Sequence, residues 1–392
     1  KLDSRSEYTL AGMESGGITR VAAPTAAEAR RMIETSLTPI IFEGMLKGWP
    51  SASWTPAHLA ASFPHLHTRV RIQQRGDGKS CLEGACSYES ATFAEFYEWQ
   101  RVAASVVAEE AEGGEERSPK RARRGCGSLA GYTAASHWGY ADYKRVGEVF
   151  GASDAEQPNM FRWTRFGLSG IEATDDAHTT MWWGNEGCRS QLHYDAYGSN
   201  LHAQLSGAKE WILFPPRDSA LLRPQRTPYE ESSIFSALNV RDPAVLPQLT
   251  RSGAQPLRFV LQKGEVLFLP RHWWHDVRIV EGAAVSANVW LPRVEDDAER
   301  VREGLVRLLV CAVMRGVPSQ RERRGEDDGE VPWLSPTEES YGAAEDAALL
   351  HAQLAKLRAS WQDRSPTELR ATIARAISTE GCLDAVVSDL MR

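Results

Sequence analysis

No stretch of this sequence approaches the roughly 20 consecutive apolar residues that a membrane-spanning helix needs. The polar start, Lys1–Tyr8, lacks the apolar core of a signal peptide. Cysteine is sparse. The six thiols, at positions 81, 86, 126, 188, 311 and 382, form no CxxC pair, which excludes a zinc finger and fits reduced cysteines in a cytosolic or nuclear compartment. Positive charge is in deficit, 45 Lys and Arg against 52 Asp and Glu, so the net charge of −7 repels a phosphate backbone and argues against a nucleic-acid partner. No internal repeat is evident. These absences lead us to expect a soluble protein of the cytoplasm or nucleus with no membrane partner.

What is present suits a globular core: 42% apolar and 25% charged residues. Residues 1–107 read as an α/β lead-in, with a helix after Ala26, a short strand Pro39–Phe42, a turn at Gly48-Trp49-Pro50 and a helix following Pro56. Alternation then predicts a strand over Arg69–Gln73, and apolar spacing predicts a helix over Thr92–Val107. Residues 108–131 turn to Glu, Gly, Arg and Ser, a composition expected to stay disordered. The basic run Lys120–Arg124 within them has the character of a nuclear import signal or of a solvated loop.

From 132 to 294 the pattern becomes β-rich. Eight short strands are predicted: Thr179–Trp183, Arg189–Tyr194, Asn200–Leu205, Glu210–Phe214, Leu257–Gln262, Val266–Leu269, Trp274–Val280 and Ala284–Leu291. That number and spacing point to a sandwich or jelly roll. The interruption Pro215–Pro256 reads as a lid or subunit contact. Residues 295–392 are predicted to be helical, notably Ala343–Trp361 and Pro366–Met391.

The chemistry begins at Gln191-Leu-His-Tyr-Asp195. His193 and Asp195 lie two apart on a predicted strand and share a face. A third donor, His275, follows Asp195 by 80 residues in Leu269-Pro-Arg-His-Trp-Trp-His275. Two imidazoles and one carboxylate leave three adjacent octahedral positions open, the arrangement of non-heme Fe(II) oxygenases. An HxD pair alone is weak evidence, because a buried His bonded to Asp is a common structural device. The distant Trp-Trp-His and a well-placed lysine give it weight. Lys209, 16 residues after His193, is expected to return along a hairpin and pair with a ligand carboxylate. Ser190, Asn200 and Asn288 are candidates to line the same cavity, together with His202, Ser286 and Trp290. For His202 and His272 an interior hydrogen-bonding role is favoured over metal ligation, and for Cys188 a small buried residue over a soft ligand.

Residues 190–216, with Gly264–His275 and Val285-Ser-Ala-Asn-Val-Trp290, resemble the JmjC hydroxylases. Trp138-Gly-Tyr-Ala-Asp-Tyr-Lys144 and Arg226–Phe235 are similar to a branch of that family associated with small heat-shock proteins. The resemblance implies a mainly β fold with flanking helices, a double-stranded β-helix of the cupin type. It also implies Fe(II) held by His193, Asp195 and His275, and 2-oxoglutarate as co-substrate on Lys209 with help from Ser190, Asn200 and Asn288. Ser190 stands where the family's asparaginyl hydroxylase has threonine, and Trp182 and Trp183 where it has aliphatic residues, which implies a tighter pocket. Hydroxylation of a protein side chain is the expected activity. An RNA nucleoside hydroxylase, a catalytically silent partner of a small heat-shock protein and a cupin isomerase are the alternatives. A homodimer through the C-terminal helices is a further expectation from the family.

Overall fold

The computed structural model describes residues 17–76, 86–101, 126–150, 160–168, 178–230, 232–293 and 296–314. Lys120–Arg124 and the expected helices Ala343–Trp361 and Pro366–Met391 lie outside them. Thirteen strands run in chain order: β1 (Thr19–Ala22), β2 (Ile40–Glu43), β3 (His67–Gln74), β4 (Ser87–Thr92), β5 (His137–Arg145), β6 (Thr180–Asn185), β7 (Arg189–Asp195), β8 (Ser199–Phe214), β9 (Pro224–Glu230), β10 (Ser233–Ser236), β11 (Leu257–Leu261), β12 (Val266–Leu269) and β13 (Trp274–Leu291).

The lead-in forms as its sequence suggests. Thr25 caps the helix Ala26–Thr35 in a box with Glu28, and Thr55 caps Pro56–Ser62 with proline in the first turn. Residues 93–101 continue the predicted amphipathic helix as far as it is described. Of the segment expected to be disordered, residues 126–131 are described, and Gly127–Gly131 makes a 3₁₀ turn that buries Leu129. The helix Asp296–Met314 opens with three acidic residues, which suit its N-terminal dipole.

Two pairs of predicted strands are each one long strand. Asn200–Leu205 and Glu210–Phe214 belong to the 16-residue β8, and Trp274–Val280 and Ala284–Leu291 to the 18-residue β13. There is no hairpin between them. Instead both strands bend together and pass from one sheet to another. The first half of β8 pairs with β12 and its second half with β11. The second half of β13 pairs with β6 and its first half with β7. The larger sheet therefore runs β1-β2-β12-β8-β13-β6-β5-β3-β4, and the smaller one adds β11, β7, β10 and β9 around the other halves. This is a jelly roll whose two central strands serve both sheets.

The bend has a local cause. Gly207 sits at φ +67°, and a Cβ there would lie 2.7 Å from the Ala283 carbonyl oxygen, so only glycine fits. Across from it the pairing slips between Ile279, Glu281, Val285 and Ser286. Such bulges let a strand turn a sheet corner. The predicted interruption Pro215–Pro256 is also structured, containing β9, β10 and the helix Val245–Arg251. β10 extends the smaller sheet beside β7, with Phe235 opposite His193.

Most of the apolar core lies on the larger sheet, where Trp49, Trp54, Phe93, Phe96, Trp163 and Trp183 join the inner residues of β8, β12 and β13. Cys188, buried, donates to the Gly139 carbonyl at 2.9 Å, and burial pushes its thiol up to about 12. It is a core residue, as expected, and no ligand.

Candidate metal centre and co-substrate pocket

His193 and Asp195 project from β7, and His275 from β13, which pairs with β7 so that the two histidines stand opposite each other. Their donor atoms all lie within 4.8 Å of one another. His193 Nε2 is 3.8 Å from Asp195 Oδ1, and the two imidazole centroids are 4.1 Å apart. Each ring is turned by its own strand: Nδ1 of His193 lies 2.7 Å from the Gln191 carbonyl and Nδ1 of His275 lies 3.0 Å from that of Trp273. With Nδ1–H donating there, both Nε2 lone pairs are free for a metal. Burial and the neighbouring His275 push His193 down to about 4, against the opposing pull of Asp195. It is therefore neutral and ready to ligate at neutral pH. Trp290 Nε1 donates to Asp195 Oδ2 at 2.9 Å and leaves the other oxygen for coordination. Two imidazoles and one carboxylate fit a cation that must keep open positions, and no fourth His, Cys, Asp or Glu joins them among the described residues.

The triad lines a small cavity that is partly open to solvent. Ser190, Asn200, His202, Lys209, Trp211, Asn288 and Trp290 share its wall; of the residues expected there, Ser286 stays out of the lining and instead bonds Lys209. The corner makes this possible. Strict alternation would send Asn200 and His202 to one face and Lys209 and Trp211 to the other. The bend at Gly207 inverts the parity, and the slip in β13 does the same for His275 and Val277 against Asn288 and Trp290.

Lys209 is 1% exposed. Its ammonium bonds Ser286 Oγ at 2.7 Å and Tyr140 Oη at 3.2 Å, and no carboxylate pairs with it among the described residues. Burial pushes it down to about 7. A buried amine answered by hydroxyls and ring faces but by no carboxylate fits an incoming anion, which would hold it protonated. Asn288 donates to Asn200 Oδ1 at 3.1 Å and accepts from Trp182 Nε1 at 2.7 Å, so these two amides hold each other and the tryptophan that narrows the pocket.

His202 differs from expectation. It lies outside the ligand group, as favoured, but its buried Nε2 has no hydrogen-bond partner, and neither has Trp211 Nε1. Burial, then Lys209 and His275, hold its ring well below the ordinary imidazole range and hence neutral. His272 does bond in the interior, Nε2 to the Ala196 carbonyl at 2.9 Å. The sequence reading missed Tyr140 and Tyr143 as lining residues, although both lie in the Trp138–Lys144 block.

A family model described as "Cupin-like domain" matches residues 25–297. A zebrafish (Danio rerio) protein named "HSPB1-associated protein 1 homolog" is 36% identical over 326 residues, which is 82% of this chain and 65% of that protein. The human protein named "HSPB1-associated protein 1" is 33% identical over 334 residues, 84% of this chain and 61% of that one. An Arabidopsis thaliana protein named "Lysine-specific demethylase JMJ31" is 30% identical over 122 residues, covering 31% of this chain and 22% of that protein. The chain thus spans somewhat less than two thirds of the length of the first two relatives.

Proposed function

Because this chain belongs to the cupin-like family with a JmjC core, we propose that it is an Fe(II)- and 2-oxoglutarate-dependent oxygenase that hydroxylates a side chain of a protein substrate. The observation that carries the reading is the pairing of two features in one cavity. Three metal donors converge within 4.8 Å, and a buried lysine without a carboxylate shares the wall. A scaffold has no physical need of either.

Fe(II) with 2-oxoglutarate would supply the oxidising power for breaking a C–H bond. The protein's own share is positional. His193, Asp195 and His275 would hold the metal. Lys209, assisted by Ser286 and Tyr140, would take the distal carboxylate of the co-substrate, with help from Ser190, Asn200 and Asn288. Trp290 fixes the Asp195 carboxylate and so the orientation of one ligand. The buried walls exclude water, which strengthens each of these charged contacts.

The test is succinate formation from 2-oxoglutarate by the purified protein with Fe(II), set against a variant carrying both His193→Ala and Asp195→Ala. Metal-dependent turnover in the wild type, lost in the variant, is the expected outcome. Absence of turnover together with absence of 2-oxoglutarate binding in the wild type moves the function to a silent scaffold. That second reading has its own support: the names of the two long relatives record an association with HSPB1. We extend it as a partner proposal, a small heat-shock protein that serves as substrate or as binding partner, checked by co-sedimentation of the two purified proteins.

A further inference from the structure

Five non-glycine residues have positive φ among those described. Four of them, Ala23, Arg223, Ser232 and His272, lie in connections between elements, where the chain must turn. The fifth, Tyr143 at φ +49°, lies inside β5, where a bulky residue is strained. The register gives its origin. Ala141 pairs with Trp183 and Lys144 with Met181, so β5 takes three steps where β6 takes two. Without that bulge Tyr143 would share the face of Ala141, which packs in the large core. With it, the ring joins Tyr140, Trp182 and Trp290 on the cavity side. Asp142 anchors the bulge from within, its carboxylate 2.9 Å from Arg71 Nε and both side chains buried.

The strain is spent at the cavity's open side. Tyr143 and Trp290 are partly exposed, whereas Tyr140, Trp182, His202, Lys209 and Asn288 behind them are buried. The Tyr143 and Trp290 ring planes are 5° apart with centroids separated by 6.5 Å. Trp182 packs on Tyr143 from behind at 4.5 Å, inclined by 58°. Trp290 reaches the metal ligand Asp195 directly. The two rings thus stand at the partly exposed edge of the cavity, beside the metal donor Asp195.

We propose that Tyr143 and Trp290 form the selecting rim of this cavity, and that the side chain they admit is a flat, π-bearing one of a protein segment (histidine, arginine or an aromatic residue) stacked on the Tyr143 ring. The proposal rests on the reading of the cavity as an oxygenase site for protein side chains. Parallel faces favour a flat group, because a tetrahedral ammonium is held best by rings inclined around it.

The test uses the full chain loaded with Mn(II) in place of iron. A panel of Gly/Ser host peptides carries His, Arg, Tyr, Phe, Leu, Asn or trimethyllysine at one central position, and binding is read by tryptophan fluorescence with and without 2-oxoglutarate. The flat side chains are expected to bind about tenfold tighter than Leu, Asn or trimethyllysine. Tyr143→Phe keeps that preference. Tyr143→Gly, which accepts the positive φ without strain, loses it while Mn(II) affinity stays unchanged. Equal binding across the panel, a preference surviving in Tyr143→Gly, or tighter binding of a single-stranded RNA oligonucleotide overturns the proposal. If 2-oxoglutarate fails to bind the wild type, the oxygenase reading falls, and the peptide preference measured without it still decides the rim.

Discussion

On β8, Lys209 faces the cavity and Glu210 the opposite side of the sheet; on β13, His275 and Asp276 divide the same way. The two faces treat charge in opposite fashion. Outside the cavity, Arg241 pairs with Glu210 and lies 2.6 Å from Asp276, Arg258 and Arg278 reach Glu210 at 2.6 and 3.1 Å, and Arg189 lies 3.5 Å from Asp276. Inside, the ammonium of Lys209 has hydroxyls and the faces of Tyr140 and Trp182, but no carboxylate among the described residues. One face of the same two strands closes its charges on each other and so fixes the sheet. The other leaves a cation and three metal donors unanswered, and the fold bears that cost where a ligand repays it.

Breaking the closed face gives the largest effect. Arg241→Met leaves Asp276, fully buried, and Glu210 short of their bridging cation. It should destabilise the protein by about 3 kcal/mol, near the low end for a broken buried pair because other arginines remain, as read by denaturant unfolding. Breaking the open face has the reverse sign. Lys209→Met removes a desolvated charge and should raise the melting temperature of the ligand-free protein, while 2-oxoglutarate affinity drops roughly 10- to 100-fold in calorimetry and Mn(II) affinity holds.

A pH series sharpens the contrast by a smaller amount. Burial raises the Glu210 carboxyl, but Arg241 and Arg258 outweigh it, so the group ends below its ordinary range. The unfolded chain then binds the proton more readily, and the stability Glu210 contributes is present above the ordinary carboxylate pKa and lost as pH falls through the acid range. Lys209, at about 7 against an ordinary 10.5, makes the unfolded chain the better proton binder between those values. Stability therefore climbs with pH through that window as well. Bound 2-oxoglutarate restores the ammonium and should flatten the alkaline climb without touching the acid one, a difference visible in melting temperature against pH.

The shared face of His193 and Asp195 was legible because its information is local, whereas His275 comes from 80 residues away. Two residues apart on a strand means one face, and that alone aligns His193 with Asp195. The jelly roll was legible from the count of short alternating runs. Its corner was not, since Ser206-Gly-Ala208 and Glu281-Gly-Ala283 have the composition of turns, and nothing local tells a bent strand from a hairpin. Lys209 was therefore placed correctly for a mistaken reason. Arg241 escaped notice because it comes from the Pro215–Pro256 segment, whose Pro and Ser content hides two strands. The bulge at Tyr143 depends on the register between β5 and β6, which neither strand encodes by itself.

The parity inversion at Gly207 also limits how descendants of this gene can change. A substitution near the corner alters one side chain, but deleting the single residue between Gly207 and Lys209 sends Glu210 into the place of Lys209 and turns Lys209 outward. The cavity then receives a carboxylate where it now offers an ammonium, and the arginines outside face a lysine. One lost codon would reverse the sign of the pocket and unseat the ion pairs behind it together, so the spacing across this corner matters to the site more than most single residues that make it up.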